Sequence, residues 1–250
     1  MKDMATQITW YGQASFKIVT PRGNVLMIDP WLTNPKNLNG KNDLENLKHV
    51  DFILLTHGHS DHVGNSLEIA MQTGAKLLTN LDLSTAMISV LGFPGNQATA
   101  ETNGHIGGTI SLLNGEVKVT IVPAQHGSFI QKDERSSPVF GGPATGLVVE
   151  IKSGPTVYHT GDTDLFSDMK LIAEYHRIDL MLCCIGDHFT MGPKGAAHAV
   201  ELVNPRTVVP MHYATFPVLT GTPEAFQREL EARGTKAKLL VLQIGETISL

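Results

Sequence analysis

Residues 57 to 62 read His57-Gly58-His59-Ser60-Asp61-His62 and follow the charge-free run Phe52-Ile53-Leu54-Leu55. Imidazoles and carboxylates at this density are the donor types that hold divalent metal ions. A catalytic zinc site takes about three protein ligands and leaves a position open for water. Two adjacent metals need more donors, among them a carboxylate able to touch both. In an extended segment His57 and His59 project from one face, so both can reach the same metal. Asp61 and His62 open the helix that follows and can turn toward a second. Further donors stand at other strand ends: His126 in Val122-Pro123-Ala124-Gln125-His126-Gly127, Asp162 in Tyr158-His159-Thr160-Gly161-Asp162-Thr163, and His212 in Val209-Pro210-Met211-His212-Tyr213. Alone, each also reads as a turn carboxylate or a hydrogen-bonded loop imidazole. Their shared position, at the carboxyl ends of strands where α/β folds collect ligands, joins them to the cluster.

The elements that must place these donors follow from hydrophobic patterning and turn residues. Strands are expected over 7–11, 15–19 and 25–29, with Pro21-Arg22-Gly23-Asn24 turning between the last two. A loop rich in Asn, Lys and Gly covers 34–42. Next come a strand over 51–56, a helix over 61–72 capped at Gly74, a strand over 75–79 and a helix over 81–91 closed by Gly92 and Pro94. Hairpins join 109–113 to 116–123 around Asn114-Gly115, and 147–152 to 156–159 around Ser153-Gly154-Pro155. Helices over 165–175, 194–203 and 223–233 then alternate with strands over 179–185, 207–211, 239–243 and 247–250. Each half runs from hairpins into alternating helix and strand. That order predicts an α/β (α+β) fold of two mixed sheets face to face, with helices outside. Candidate ligands lie in both halves, roughly 1–115 and 116–250, so the chain reads as a single domain over 1–250.

Composition bounds the partners. The 250 residues are 42% hydrophobic and 17% charged, which suits a globular chain with a sizeable core. Formal net charge is −5 and Lys and Arg are scattered, so no nucleic acid partner is expected. The longest apolar run, 180–185, is too short to cross a bilayer, and no membrane insertion is expected. Met1-Lys2-Asp3-Met4 carries neither the basic region nor the apolar stretch of a signal peptide. The two cysteines, Cys183 and Cys184, are strand neighbours that point to opposite faces, and read as buried thiols that do not pair. A cytoplasmic location follows. A homo-oligomer stays open.

The order Thr56-His57-Gly58-His59-Ser60-Asp61-His62, His126, Gly161-Asp162-Thr163, His212 resembles the metallo-β-lactamase superfamily over essentially the whole chain. The stretches Ile185-Gly186-Asp187-His188-Phe189-Thr190-Met191-Gly192-Pro193 and Pro210-Met211-His212-Tyr213-Ala214-Thr215-Phe216-Pro217 are similar to its small metal-dependent hydrolases, the branch close to ascorbate-6-phosphate lactonase. The resemblance implies a four-layer αβ/βα sandwich with a two-metal site at one edge. It implies that His57, His59 and His126 hold one metal, that Asp61, His62 and His212 hold the other, and that Asp162 touches both. A Glu commonly replaces the second His of the motif in the oxygen-reducing diiron branch, so His59 favours hydrolysis.

The expected chemistry is attack by a hydroxide held between two divalent metals, which lower the pKa of bound water and polarise the oxygen under attack. An ester, lactone or related bond of a small metabolite would be cleaved, with anionic metabolites among the candidates. The all-His/Asp donor set suits Zn2+, and Mn2+ or Fe2+ can also occupy it. Asp61 would orient the nucleophile as well as bind metal. His188 could donate a proton to the leaving group or a hydrogen bond to the oxyanion, or simply pair with Asp187. His159 reads as a brace for a ligand, Tyr213 and His105 as pocket candidates, and His49, His176 and His198 as helix or surface residues. The segment 127–142 reads as a mobile loop able to gate substrate. Two other functions fit the sequence: a phosphodiesterase acting on a nucleotide or lipid, and a non-catalytic metal-binding regulatory protein.

Overall fold

The computed structural model describes residues 4–250, so the reading of Met1-Lys2-Asp3 falls outside the described residues. The chain opens with β1 (Gln7–Trp10), β2 (Phe16–Val19), β3 (Val25–Ile28), α1 (Gly40–Glu45) and β4 (Phe52–Leu54). It continues through α2 (Ser60–Val63), α3 (Ser66–Thr73), β5 (Lys76–Leu78) and α4 (Leu81–Leu91). Then come β6 (Thr109–Leu112), β7 (Val117–Pro123), a short hairpin of β8 (Phe129–Ile130) and β9 (Val139–Phe140), β10 (Thr145–Ile151) and β11 (Thr156–His159). The last quarter holds α5 (Met169–Tyr175), β12 (Leu180–Cys184), α6 (Pro193–Val203), β13 (Thr207–Met211), α7 (Pro223–Ala232), β14 (Lys238–Leu239) and β15 (Thr247–Ser249).

Two large sheets result, ordered β15-β1-β2-β3-β4-β5 and β14-β13-β12-β11-β10-β7-β6. Strands β3 to β5 are parallel, as are β11 to β14; the others pair antiparallel. Side-chain alternation assigns the faces. Leu26 and Ile28 of β3, Phe52 and Leu54 of β4 and Leu78 of β5 enter the core shared with the second sheet. The residues between them, Met27, Ile53 and Leu77, pack instead with Ile69 and Ala70 of α3 and Leu83 and Met87 of α4. These strands are buried on both faces, which is why they read as unbroken apolar runs. On the far side, Ile172 of α5, Ala196 and Val200 of α6 and Phe226 of α7 close over the second sheet. The layers therefore run helix, sheet, sheet, helix, the four-layer sandwich that the resemblance implies.

Local differences have physical causes. The helix expected over 61–72 is two helices, because Gly64 turns the chain at φ +43 between them. The Asn-rich loop runs into α1, which begins at Gly40 and has no apolar period; Asn37 holds it by donating to Asp43 in its first turn. The connection at Asn114-Gly115 takes a turn with Leu113, Asn114 and Gly115 all at positive φ. The last strand does not stay with its half: β15 pairs with β1 and closes the first sheet. The 127–142 segment is folded into the β8–β9 hairpin rather than left as an irregular loop. Cys183 and Cys184 are buried and unpaired on β12, and burial pushes both thiols up, Cys184 to about 11. Among the described residues no helix is long and apolar enough to cross a membrane.

Candidate metal centre

Carboxyl ends of β3, β4, β7, β11 and β13 meet along one edge of the two sheets, carrying Asp29, His57, His126, Asp162 and His212 just beyond them. Thr145, at the start of β10, ties that edge together: its N–H and its hydroxyl both donate to the Thr56 carbonyl, at 3.1 and 2.7 Å.

Two groups of donors form there. In the first, His57 Nε2 and His59 Nδ1 lie 2.9 Å apart and His126 Nε2 is 3.3 Å from His59 Nδ1. In the second, His212 Nε2 is 2.9 Å from Asp162 Oδ2 and 3.5 Å from Asp61 Oδ2, and His62 Nε2 is 3.2 Å from Asp162 Oδ1. Donor atoms within each group all lie within 4.8 Å of one another. Asp162 Oδ2 also stands 3.7 Å from His126 Nε2 and 4.0 Å from His57 Nε2, so one carboxylate faces both groups. The structure thus brings together His57, His59, Asp61, His62, His126, Asp162 and His212.

Whether this set fits divalent cations can be read from its unused valences. His62 Nε2, His212 Nε2 and Asp162 Oδ1 are buried yet aligned with no hydrogen-bond partner. Buried polar atoms left so are costly unless something else satisfies them. They converge on a shared space, and a cation there would complete them. The residues fit the group.

Braces hold the donors by their other atoms, and the sequence reading missed three of them. Asp29 accepts from Thr56 N–H at 2.9 Å and the Thr56 hydroxyl at 2.7 Å, and its Oδ2 lies 2.7 Å from His62 Nδ1. The Thr56 hydroxyl in turn lies 3.0 Å from His57 Nδ1. Such contacts fix which ring nitrogen faces a metal. Gln13 donates from Nε2 to Asp61 Oδ2 at 2.8 Å, and its carbonyl accepts from His212 N–H at 3.1 Å. Only Asp29 left a sequence signal: a carboxylate ending a buried apolar strand. His159, read as a brace, is one: its Nε2 contacts the Ala14 carbonyl at 2.9 Å and its Nδ1 accepts from Gly161 N–H at 3.1 Å, which shapes the turn into Asp162.

His188 is not brought into either group. It is exposed at φ +56, and its ring stands edge-on to Phe189 with centroids 4.5 Å apart. Phe189, not His188, lines the cavity of about 430 Å3 over the donors. Tyr213 stacks on Trp10 at 5.6 Å, away from that cavity, and His49 and His105 are exposed.

Charge divides the two groups. Burial keeps His57, His59 and His126 below their ordinary pKa, with neighbouring imidazoles adding to the effect, so all three are neutral. Burial also opposes charge on His62 and His212, but the carboxylates, Asp162 above all, outweigh it and push His212 up to about 9 and His62 well above its usual value. Asp61 and Asp162 stay ionised because those imidazoliums outweigh the burial that would raise them. His62 and His212 bind protons more tightly folded than unfolded. Their contribution to stability is complete below pH 6.5 and drains away as pH rises toward about 9. His57, His59, His126 and His159 bind protons less tightly folded, so their contribution falls as pH drops below 6.5. Metal-stripped protein should therefore melt highest near pH 6.5 in chelator, and lower on either side. A Tm that keeps rising from there to pH 9 would contradict this charge assignment.

Comparison with known proteins agrees with the geometry. The profile of the beta-lactamase superfamily domain matches residues 24–213. A UPF0173 metal-dependent hydrolase from Thermodesulfovibrio yellowstonii is 54% identical over 98% of this chain and 92% of its own length. Another, from Anaeromyxobacter dehalogenans, is 50% identical over 97% of this chain and 86% of its own. Among solved structures, Igni18, a metallo hydrolase from Ignicoccus hospitalis, superposes with a TM-score of 0.83 at 33% identity, covering 98% of both chains.

Proposed function

This chain belongs to the beta-lactamase superfamily, among its UPF0173 metal-dependent hydrolases, and from that premise we propose that it is a binuclear enzyme cleaving an ester, lactone or related bond of a small molecule. The observation that carries the reading is Asp162, whose one carboxylate faces His57 and His126 on one side and His62 and His212 on the other. His57, His59 and His126 would hold the first cation, Asp61, His62 and His212 the second, and Asp162 both. Zinc suits this donor set. Two such cations would supply a strong nucleophile from water at neutral pH and polarise the oxygen under attack.

The remaining work belongs to side chains. Asp61, pinned by Gln13 and held ionised, accepts a hydrogen bond from the attacking water and aims it. Phe129 and Phe189 exclude bulk water from the cavity mouth, which strengthens every polar contact beneath them. His188 does not line the cavity; its one link to it is Phe189, against whose ring it stands, and a proton passed to a departing alkoxide would have to come from there. We read residues 1–250 as one domain, because β15 returns from the chain's end to complete the first sheet. The buried, unpaired Cys183 and Cys184 support a cytoplasmic location.

A panel of lactones, carboxylic esters and bis-p-nitrophenyl phosphate, assayed with zinc and with manganese, tests the proposal. Esters or lactones should turn over fastest. His59→Ala should lower turnover by more than the roughly 100-fold typical of losing a residue that only supports a ligand, while far-UV circular dichroism is unchanged. Turnover that survives exhaustive chelation, or full activity in His59→Ala, would overturn it. His188→Ala decides its role: slower alkyl esters with p-nitrophenyl esters spared, whose leaving group needs no proton, assign it as the proton donor, and unchanged rates on both remove it from the site.

A further inference from the structure

Above the donors the cavity changes character. Its floor is His59, Asp61, His126, Asp162 and His212; its walls are Trp31, Phe129, Phe189 and Phe216. These four aromatics come from four separate segments: beyond β3, on β8, beyond β12 and beyond β13. Trp31 and Phe216 stack on each other with centroids 6.0 Å apart and planes 25° apart. Phe129 stands edge-on to His59 at 4.7 Å. Phe129 and Phe189 remain 44% and 53% exposed, an apolar surface the fold itself does not cover. Among the described residues no Lys or Arg lines the cavity, and the only charged side chains in it besides histidines are Asp61 and Asp162.

We infer that this pocket selects substrates whose non-reacting part is a neutral, flat, apolar group, a single aromatic ring or its equivalent, clasped between the Trp31–Phe216 stack and the Phe129–Phe189 side. The inference rests on the hydrolase reading above and adds the substrate class to it. A remote phosphate or carboxylate would find no cation in the walls and would be stripped of water beside apolar rings, which is unfavourable without a partner. A ring would bury its faces against other rings, and aromatic pairs gain beyond their buried area. At about 430 Å3 the cavity is near the small end of ligand pockets, and one ring with a short reacting group fits inside it. It names a different class from the anionic metabolite that the sequence left open.

The walls are also seated on the histidine-rich turn. A Cβ at Gly58 would lie 2.7 Å from the Phe129 carbonyl oxygen, and one at Gly64 would lie 2.6 Å from Trp31 Cα. The absence of side chains at these two positions lets both walls close directly onto the segment that carries His57 to His62. Ser128 locks the β8 side: its hydroxyl accepts from Gly58 N–H at 3.2 Å and donates to the Gly141 carbonyl at 3.1 Å. The clasp is therefore held in register with the donors rather than draped over them.

Methyl phenylacetate and monomethyl succinate separate the possibilities, because neither leaving group carries a ring. Acid release is followed with zinc-loaded protein, each rate normalised to the ester's own hydroxide reaction. Wild type should prefer the phenyl ester by about 100-fold or more in kcat/KM. Phe216→Ala and Phe129→Ala should each cut that preference at least roughly tenfold, mainly through KM, with zinc content unchanged. Equal use of the two esters, or a preference untouched in both variants, overturns the inference. A binding arm keeps it separate from the hydrolase reading. Phenylacetamide should quench Trp31 fluorescence saturably in wild type, more weakly in Phe216→Ala, and not in Trp31→Phe; succinamate should not quench. If no ester turns over yet phenylacetamide binds in this pattern, the hydrolase reading fails and the clasp stands. If phenylacetamide and succinamate quench alike, or neither does, the clasp fails.

Discussion

On the proposed two-metal reading, Asp162→Asn will leave a folded protein that can no longer hold both ions. Asparagine keeps the shape and removes the charge at the one residue facing both donor groups. Asp162 is 3% exposed, so solvent cannot replace the missing charge. The amide nitrogen, wherever it turns, points a donor at the lone pair of either His212 Nε2 or His62 Nε2, 2.9 and 3.2 Å from the carboxylate oxygens. Metal analysis after gel filtration should fall from two ions per chain to one or fewer. Turnover should fall by about 1000-fold or more, since the nucleophile and the polarising charge are lost together. Metal-stripped Asp162→Asn should also lose much of the alkaline decline in Tm, because the first-ranking charge that raises the pKa of His62 and His212 is gone. Two tightly bound ions with turnover within tenfold of wild type would show that Asp162 does not bridge.

The donor cluster was legible because side chains that can hold a metal advertise themselves twice, by residue type and by position. His57, His126, Asp162 and His212 each follow an apolar run whose end marks a strand's carboxyl terminus. Layer order was legible for a related reason: strands without charged residues must be buried on both faces, so each sheet needs helices on its outside. What stayed hidden depends on distant pairing. Period-two alternation says that 247–249 is a strand but not that it joins β1 rather than β14. The braces were hidden too. Gln13 lies in a tight turn at φ +48, with nothing local to indicate that its amide reaches Asp61, forty-eight residues on. The aromatic walls are one Trp and three Phe that look like ordinary hydrophobic residues until sheet register gathers their four segments over the same donors. Nor did the sequence mark Gly58 or Gly64: the close approach of Phe129 to the one and of Trp31 to the other exists only in three dimensions.

Asp29→Asn tests whether bracing alone can switch a ligand off. Asp29 is fully buried at φ +43, a conformation that Asn tolerates as well as Asp does, so backbone strain does not enter. Its Oδ1 accepts from Thr56 N–H, and its Oδ2 meets the Thr56 hydroxyl and His62 Nδ1. In the variant the amide oxygen must stay on Thr56 N–H, because the reverse orientation sets two donors against each other in a buried site. The NH2 then faces His62 Nδ1, and that nitrogen must accept. The proton of neutral His62 moves to Nε2, the atom 3.2 Å from Asp162 that would otherwise offer its lone pair to a cation. In another hydrolytic site a His held in the wrong tautomer by the same carboxylate-to-amide change costs about 10⁴ in turnover. Here the second ion should bind at least about 100-fold more weakly and turnover should fall by about 1000-fold or more; the Thr56 hydroxyl, which also meets the new NH2, can carry the same change to His57 Nδ1 and weaken the first ion too. Asp29→Ala is the destabilising counterpart: it orphans Thr56 N–H and His62 Nδ1 and should lower stability by about 3–5 kcal/mol. If Asp29→Asn instead loads two ions normally and turns over at the wild-type rate, the tautomer of His62 is not set by Asp29.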